Sequence, residues 1–454
     1  MSATVDVVVL GLGAGGEYAA RKLAEAGLSV VGVERDLVGG ECPFYGCTPS
    51  KLMIHSAHEG QDLARAASRI REANHDWHDD SHAGPLEEAG VRIVRGHGRL
   101  AGPGRVEVDG TTYDARLGVV LDTGTEPAVP PIDGLAGTPY WTNREVMRVR
   151  EAPASLVVLG GGPIGCELAQ AFARFGSRVT LVEAEERLLG PEEPEAAEVV
   201  TRILRAEGVD VRVGAELTRV AHDGGFVLEV GGDTLSADHL LVAVGRKPNL
   251  DDIGLETVGL SPDAEHLETD ERLRAGERLW AVGDVTGKGA FTHVSLYQAK
   301  VVVADLLGVD RPGVDRPGVD RPGVDRPVAD YRAVSRVTFT DPEVGAVGLT
   351  ESRAREAGIR VAVGHAQIER AARGWINEAQ GIVKVVADAD RGVLVGGTVV
   401  APYGGEVLGL LTAAVHAEIP VETLRRMHYA YPTFHRAIAA ALGDLGSGDS
   451  DGRV

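Results

Sequence analysis

The sequence predicts an α/β fold: two Rossmann-like units followed by a separate α+β domain. Three observations predict it. The run strand, G-x-G-x-x-G, helix, strand, acid occurs twice, first between Thr4 and Glu34 and again between Ser155 and Glu183. Each copy opens on an unbroken apolar run, the mark of a parallel strand covered on both faces. Beyond residue 330 strand-like and helix-like runs continue without a third fingerprint.

In the first unit Thr4-Val5-Asp6-Val7-Val8-Val9-Leu10 runs straight into Gly11-Leu12-Gly13-Ala14-Gly15-Gly16 and then a helical stretch to about Ala26. A second strand, Ser29 to Val33, ends on Glu34. Gly11, Gly13 and Gly16 let backbone N–H groups at a helix N-terminus approach a pyrophosphate, and the acid takes the ribose hydroxyls. The second unit repeats this with a strand from Ser155 to Leu159, the glycines Gly160, Gly162 and Gly165, a helix to about Phe175, and a strand ending on Glu183. Two complete fingerprints predict two dinucleotides. Glu183 repels a 2′-phosphate, so the second is expected to be NADH rather than NADPH, with Arg187 nearby as the one opposing charge.

Between the units the pattern predicts a helix from Lys51 to about Asn74. The His/Asp-rich stretch Asn74 to His82 reads as a solvated loop rather than a metal site. After about Gly190 strands are expected to alternate with turns as far as Leu241-Val242-Ala243-Val244-Gly245-Arg246, and Leu279 to Asp284 reads as another strand ending on an acid. Gly308 to Pro327 is four tandem copies of Gly-Val-Asp-Arg-Pro; a proline every fifth residue forbids helix or central strand, which leaves a solvated linker. Ser335–Leu349 and Ile382–Val400 then read as strands, and Glu351–Gly358 and Gly405–Glu418 as helices.

The stretch richest in chemistry is Gly39-Gly40-Glu41-Cys42-Pro43-Phe44-Tyr45-Gly46-Cys47-Thr48-Pro49-Ser50-Lys51, which holds two of the three cysteines. An ideal helix would separate residues five apart by about 7.5 Å of rise, beyond the reach of a disulfide. Pairing Cys42 with Cys47 therefore needs a distorted turn, and Pro43 and Gly46 are residues that permit one. A redox-active dithiol and two unrelated buried thiols both fit this spacing. Cys166, inside the second glycine-rich helix, reads as a small core residue.

Composition narrows the function classes. Acids outnumber bases 67 to 46, a net charge of −21, which argues against binding nucleic acid or an anionic membrane. No window approaches a membrane span, and the N-terminal strand carries no basic leader. Three cysteines in 454 residues make no disulfide scaffold and fit a reducing cytosol. Only six residues are lysine, which makes Lys51 conspicuous.

These residues resemble the FAD-dependent pyridine nucleotide–disulfide oxidoreductases, the family of lipoamide dehydrogenase, glutathione reductase and mercuric reductase. The matching segments, in family order, are Gly11–Gly16, Gly40-Glu41-Cys42 through Cys47-Thr48-Pro49-Ser50-Lys51, Thr123-Gly124-Thr125-Glu126-Pro127, Gly160–Glu167, Gly245-Arg246-Lys247-Pro248-Asn249 and Ala281-Val282-Gly283-Asp284-Val285. The resemblance implies FAD on the first fingerprint, with Glu34 on its ribose, Asp284 near the ribityl chain, and Gly40, Thr123, Gly124 and Gly283 around it. NAD would lie on the second, with Gly245 and Arg246 completing the nucleotide sites. Cys47 would face the flavin, Cys42 would exchange with substrate, and Lys51 would pair with Glu167 beside the flavin ring. The implied domains are 1–150, completed by 271–307, for FAD, 151–270 for NAD, 308–330 as linker and 331–454 for homodimerisation.

The sequence departs from that family near its C-terminus. Tyr431 stands where a His is usual and Arg436 where its Glu partner is usual, so the acid/base dyad is lost; a phenol is a poor base at neutral pH but a competent hydrogen-bond donor to a thiolate. Mercuric reductase also places tyrosine there, but the tail Gly443–Val454 has no cysteine pair and no N-terminal metal-binding domain is evident. Glu41 replaces a common Thr, and Pro163 stands where some members carry an aromatic lid. The expected activity is NADH-linked electron transfer through FAD and the Cys42–Cys47 pair to a small disulfide or dithiol. A flavin-level reductase of a metal ion, quinone or dioxygen is the first alternative; a redox-silent flavoprotein acting as a binding module is the second.

Overall fold

The computed structural model describes residues 2–308 and 327–446 in two compact units. Residues 309–326, and with them most of the linker expected over 308–330, lie outside the described part.

The first unit comprises residues 1–49, 69–127 and 246–330. Strand β1 (Ser2–Leu10) leads into helix α1 (Ala14–Glu25) and strand β2 (Val30–Glu34). β1 sits mid-sheet, parallel both to β2 (Val7 opposite Val30) and to the strand Thr111–Leu121 (Val7 opposite Gly118). Val91–Arg95 continues one edge in parallel, and Leu279–Ala281 continues the other. Val7 to Leu10 are all buried because both faces are covered: Val7 and Val9 pack with Leu23, Val301 and Val302, and Val8 and Leu10 with Val31, Val106 and Leu279. This explains a continuous apolar run where a half-exposed strand would alternate.

The second unit comprises residues 50–68, 128–245 and 331–454. Its nucleotide-type sheet is four parallel strands in the order 210–212, 178–182, 155–159, 239–242, beside a three-stranded antiparallel sheet of residues 217–237. The C-terminal part is a five-stranded antiparallel sheet in the order Ser335–Thr338, Glu343–Gly348, Val393–Ala401, Ile382–Asp388, Val361–Gln367. The helices Gly404–His416 and His435–Asp444 pack on it, with Leu408, Leu411, Ile438 and Leu442 in one core with Val383, Val385 and Val399.

Four expectations need correction. The helix expected from Lys51 to Asn74 is two helices, α3 beginning at Cys47 (Cys47–His58) and a second over Leu63–Ala73. Gly60 in the left-handed region (φ +65°) ends the first, and the Asp62 carboxylate, accepting the Arg65 N–H at 2.8 Å, starts the second. The stretch 74–82 is more than a solvated loop. Asp79 accepts the Val38 N–H and pairs with Arg95, His82 bonds Glu17, and a helix starts at Asp80. A helix over Pro194–Ala206 lies where only strands and turns were expected; its signals were Pro194 at the first turn and the buried Ala196, Ala197, Val199, Val200 and Leu204. The long C-terminal strand runs are each a hairpin, turning at residues 339–342 and 389–392.

Candidate active site

The stretch holding Cys42 and Cys47 takes the bend that its residues permit. Gly39 and Gly40 take φ of +105° and +70°, and a Cβ on Gly40 would come within 3.0 Å of Gly13 Cα, so the turn lies directly against the first fingerprint. A single helical turn, α2 (Glu41–Phe44), then carries Cys42, and Cys47 opens α3. The chain breaks between them at Tyr45 and Gly46; a Cβ on Gly46 would stand 3.2 Å from Glu41 O and 3.4 Å from Cys42 Cα. That fold-back brings two thiols into hydrogen-bond contact that a continuous helix would hold apart.

Cys42 is partly buried and Cys47 exposed. The Cys42 thiol titrates well above its usual range. Its hydrogen bond with Cys47 is the largest cause, burial the second and the charge of Cys47 the third; the Thr292 hydroxyl and a Cys47 N–H oppose them. The contact between the two thiols thus favours keeping a proton on the pair. Thr292 Oγ1 also lies 3.4 Å from Cys47 Sγ. Cys47 occupies the first position of α3, where the helix N-terminus favours negative charge.

Around the first fingerprint the glycines are demanded by packing. A Cβ on Gly11 would meet Asp122 O at 2.2 Å, and one on Gly16 would meet Gly11 O at 2.1 Å. Glu34 accepts N–H groups from Leu12 and Asp36, each at 2.8 Å; burial raises its pKa and those two bonds oppose the rise. Thr123 Oγ1 is buried with no hydrogen-bond partner, and Gly124 follows at φ +64°. Such an orphaned hydroxyl at the C-terminal end of a central strand fits the polar edge of a bound dinucleotide. Thr125 Oγ1 donates to Asp284 Oδ2 at 2.6 Å and accepts from Arg246 Nε at 2.6 Å. Arg246 also lies 3.4 Å from Glu41, so the residue preceding Cys42 is tied to the Gly-Arg segment. Gly283, at φ +78°, donates its N–H to Gln298.

In the second unit Lys51 Nζ lies 2.9 Å from Glu167 Oε2 and 4.5 Å from the centre of the Phe339 ring, while Glu167 Oε1 accepts the Phe339 N–H at 2.8 Å. Lys51 and Glu167, 116 residues apart, are thus brought together, and Phe339 is the partner that no motif indicated. Glu183 accepts the Gly161 N–H at 2.6 Å. Gly160 and Gly165 are packed tight against Ala243 O and Gly160 O, but a Cβ on Gly162, at φ −74°, would meet no protein atom within 4 Å. The fold does not itself require a glycine there. A pyrophosphate approaching the helix N-terminus does. Arg187 is spent on the carbonyls of Leu189, Gly190 and Glu192. Gly245 takes φ +120° and its carbonyl accepts the Ala128 N–H. Tyr431 is 74% exposed. Cys166 is fully buried, its thiol pushed up by burial first, as a core residue should be.

The family model of the pyridine nucleotide-disulphide oxidoreductases matches residues 5–299, and that of their dimerisation domain matches residues 334–442. The chain belongs to this family. The oxidoreductase is 34% identical to the mercuric reductase of Streptomyces lividans over 96% of its own length and 95% of that protein's. It is 32% identical to the dihydrolipoyl dehydrogenase of Thermus scotoductus, with 97% of each covered. Among solved structures, the Cu(II) complex of the HOCl-induced flavoprotein disulfide reductase RclA from Escherichia coli superposes with a TM-score of 0.85 at 28% identity, covering 98% of this chain and 100% of that one. The oxidoreductase is accordingly an FAD- and NAD(P)H-dependent enzyme of dithiol–disulfide exchange. Its C-terminal domain is the family's dimerisation domain. No helix among the described residues is long and apolar enough to cross a membrane.

Proposed function

We propose that Cys42 and Cys47 are the exchange pair of this oxidoreductase, acting on a small disulfide in a reducing cytosol. The observation that carries this is the broken turn that puts the two thiols in contact against the first fingerprint. FAD, when bound, supplies the two-electron step that resets the pair. The Cys42 sulfur attacks the substrate disulfide, and its proton leaves with the first expelled sulfur as a thiol. Cys47 then attacks Cys42, releasing the second and leaving a Cys42–Cys47 disulfide. The helix N-terminus and the Thr292 hydroxyl hold charge on Cys47 meanwhile. Glu34, Thr123, Asp284 and Arg246 would hold FAD, and Gly160, Gly162 and Gly165 would hold NAD. Anaerobic titration with NADH, followed in the visible spectrum, tests the reading. A long-wavelength thiolate band at two electrons supports it, and direct bleaching without such a band overturns it.

In the homodimer that this reading includes, the Tyr431 phenol serves the partner's exchange thiol as a hydrogen-bond donor, in place of the missing dyad. Tyr431→Phe should slow disulfide exchange several-fold and leave flavin reduction by NADH unchanged; equal loss in both half-reactions would remove Tyr431 from that role.

The second nucleotide is NADH. Glu183 is fixed by the Gly161 N–H while Arg187 is bonded to the carbonyls of Gly190 and Glu192, so a 2′-phosphate would meet the acid rather than that base. We expect kcat/KM for NADH to exceed that for NADPH by about 10²-fold, worth ~2.7 kcal/mol, and Glu183→Ala to narrow the ratio. An unchanged ratio in that variant would place the discrimination elsewhere.

A second reading has the same pair reduce a thiophilic metal ion. It is supported by the mercuric reductases and the Cu(II) complex among the relatives. Turnover of Hg(II) or Cu(II) without turnover of any disulfide would favour it.

A further inference from the structure

Asp122 belongs to none of the motifs, yet it occupies the centre of the first fingerprint. It follows the strand Thr111–Leu121 directly and is 6% exposed. Its Oδ2 accepts the Gly16 N–H at 2.7 Å across 106 residues. Gly16 is the third residue of α1, and the N-cap of that helix, Gly13, has no side chain to satisfy it. Asp122 therefore caps α1 from another strand. Its Oδ1 accepts from Ser295 Oγ at 3.3 Å. A Cβ on Gly13, Gly16 or Gly283 would come within 3.0, 3.1 or 2.6 Å of this carboxylate, so three glycines make room for it.

The charged groups that face it are Asp284, beyond Gly283, and Glu34, at the end of β2; both are acids. No Lys, Arg or His pairs with Asp122 among the described residues; the Gly16 N–H and the Ser295 hydroxyl favour its ionised form. Burial outweighs them, and the carboxyl is pushed up to about 8.

We propose that Asp122 is a neutral acid capping the FAD pyrophosphate helix, and that losing its proton loosens FAD. The proposal rests on the reading of the first fingerprint as the FAD cradle. A pyrophosphate brings negative charge to the N-terminus of α1, where the charge of an ionised Asp122 would repel it. FAD thus binds the protonated form more tightly. By linkage the proton strengthens FAD binding by the factor through which FAD strengthens proton binding. Retention is flat up to about one pH unit below that pKa; above the pKa the affinity falls with each pH unit until the acid of the holoenzyme also titrates.

The test is release of FAD from the diluted holoenzyme, read by the fluorescence of the liberated flavin between pH 6.5 and 9.5. Wild type should hold FAD about tenfold less tightly at pH 9 than at pH 7, one pH unit past the pKa being a factor of ten. Asp122→Asn keeps an oxygen for the Gly16 N–H and cannot ionise, so it should be tight and flat across the range. Asp122→Ala should be weak and flat, having lost the cap. Equal pH slopes in wild type and Asp122→Asn overturn the proposal, leaving Asp122 a purely structural cap. A protein that holds no FAD at any pH would instead overturn the reading of the first fingerprint, and the proposal with it.

Discussion

Cys42→Ser is expected to abolish disulfide reduction, by about 10³-fold or more, while reduction of bound flavin by NADH continues at close to the wild-type rate. A serine hydroxyl at this position is no nucleophile at neutral pH, whereas a cysteine sulfur needs only to lose the proton that its contact with Cys47 and its burial hold on it. The two half-reactions separate on the proposed assignment, in which Cys42 is the thiol that meets substrate. Stopped-flow mixing with NADH reads the first, and steady-state turnover with a panel of disulfides reads the second. Cys47→Ser should also stop disulfide turnover, but the Cys42 thiol then has no partner to expel the substrate, and a stable mixed disulfide should accumulate and be visible by mass spectrometry. Disulfide turnover that survived Cys42→Ser would mean that electrons leave from the flavin directly. The metal-ion reading responds differently: it predicts loss of Hg(II) or Cu(II) turnover in the same variants, with disulfides inert in the wild type as well.

Lys384→Met should produce the largest loss of stability. The ammonium lies in the middle of the strand Ile382–Asp388 and is 3% exposed. It meets Glu193 Oε2 at 2.9 Å, Glu195 Oε1 at 2.8 Å and Glu351 Oε2 at 2.9 Å. Glu193, itself 3% exposed, also accepts the Glu351 N–H. Removing the cation strands a buried carboxylate, which costs about 3–5 kcal/mol, or roughly 10 °C in Tm for a unit of this size. Lys384→Met with Glu193→Met should recover most of that loss, since replacing a whole buried pair with apolar groups is close to neutral. A Tm unchanged in the single variant would show that the cluster adds nothing net.

The pH dependence of this cluster follows from its partners. Lys384 titrates above its usual value despite burial, because the three carboxylates outweigh desolvation. A raised lysine contributes fully below its unfolded pKa and loses that contribution only as pH rises through the folded value, so it adds no pH dependence near neutrality. Glu195 and Glu351 are lowered; burial works against the Lys384 bond at Glu195, and that bond leads at Glu351. Their contribution is present above the unfolded glutamate pKa and is lost as pH falls through the lowered values. Acid unfolding monitored by circular dichroism should therefore start at higher pH in wild type than its neutral-pH stability alone suggests, and Lys384→Met should flatten that acid limb.

What the sequence determined by itself was local. The fingerprints lie within about thirty residues each, and strand, glycines, helix and acid follow one another along the chain; between Cys42 and Cys47 the spacing left a dithiol and two unrelated thiols equally open. Helix boundaries were less legible where capping decided them, as at Gly60 and Asp62, and where a Pro-led amphipathic run such as Pro194–Ala206 sits among strands. The tertiary structure alone decided which distant groups meet: Asp122 with Gly16, Arg246 with Glu41 and Thr125, Phe339 with Lys51, Lys384 with three glutamates. Each of these joins a charge to a partner remote in sequence. A periodicity or a spacing records which face of an element is buried, but the energy of an ionised group is set by what surrounds it in space, and that is fixed only when the sheets have formed.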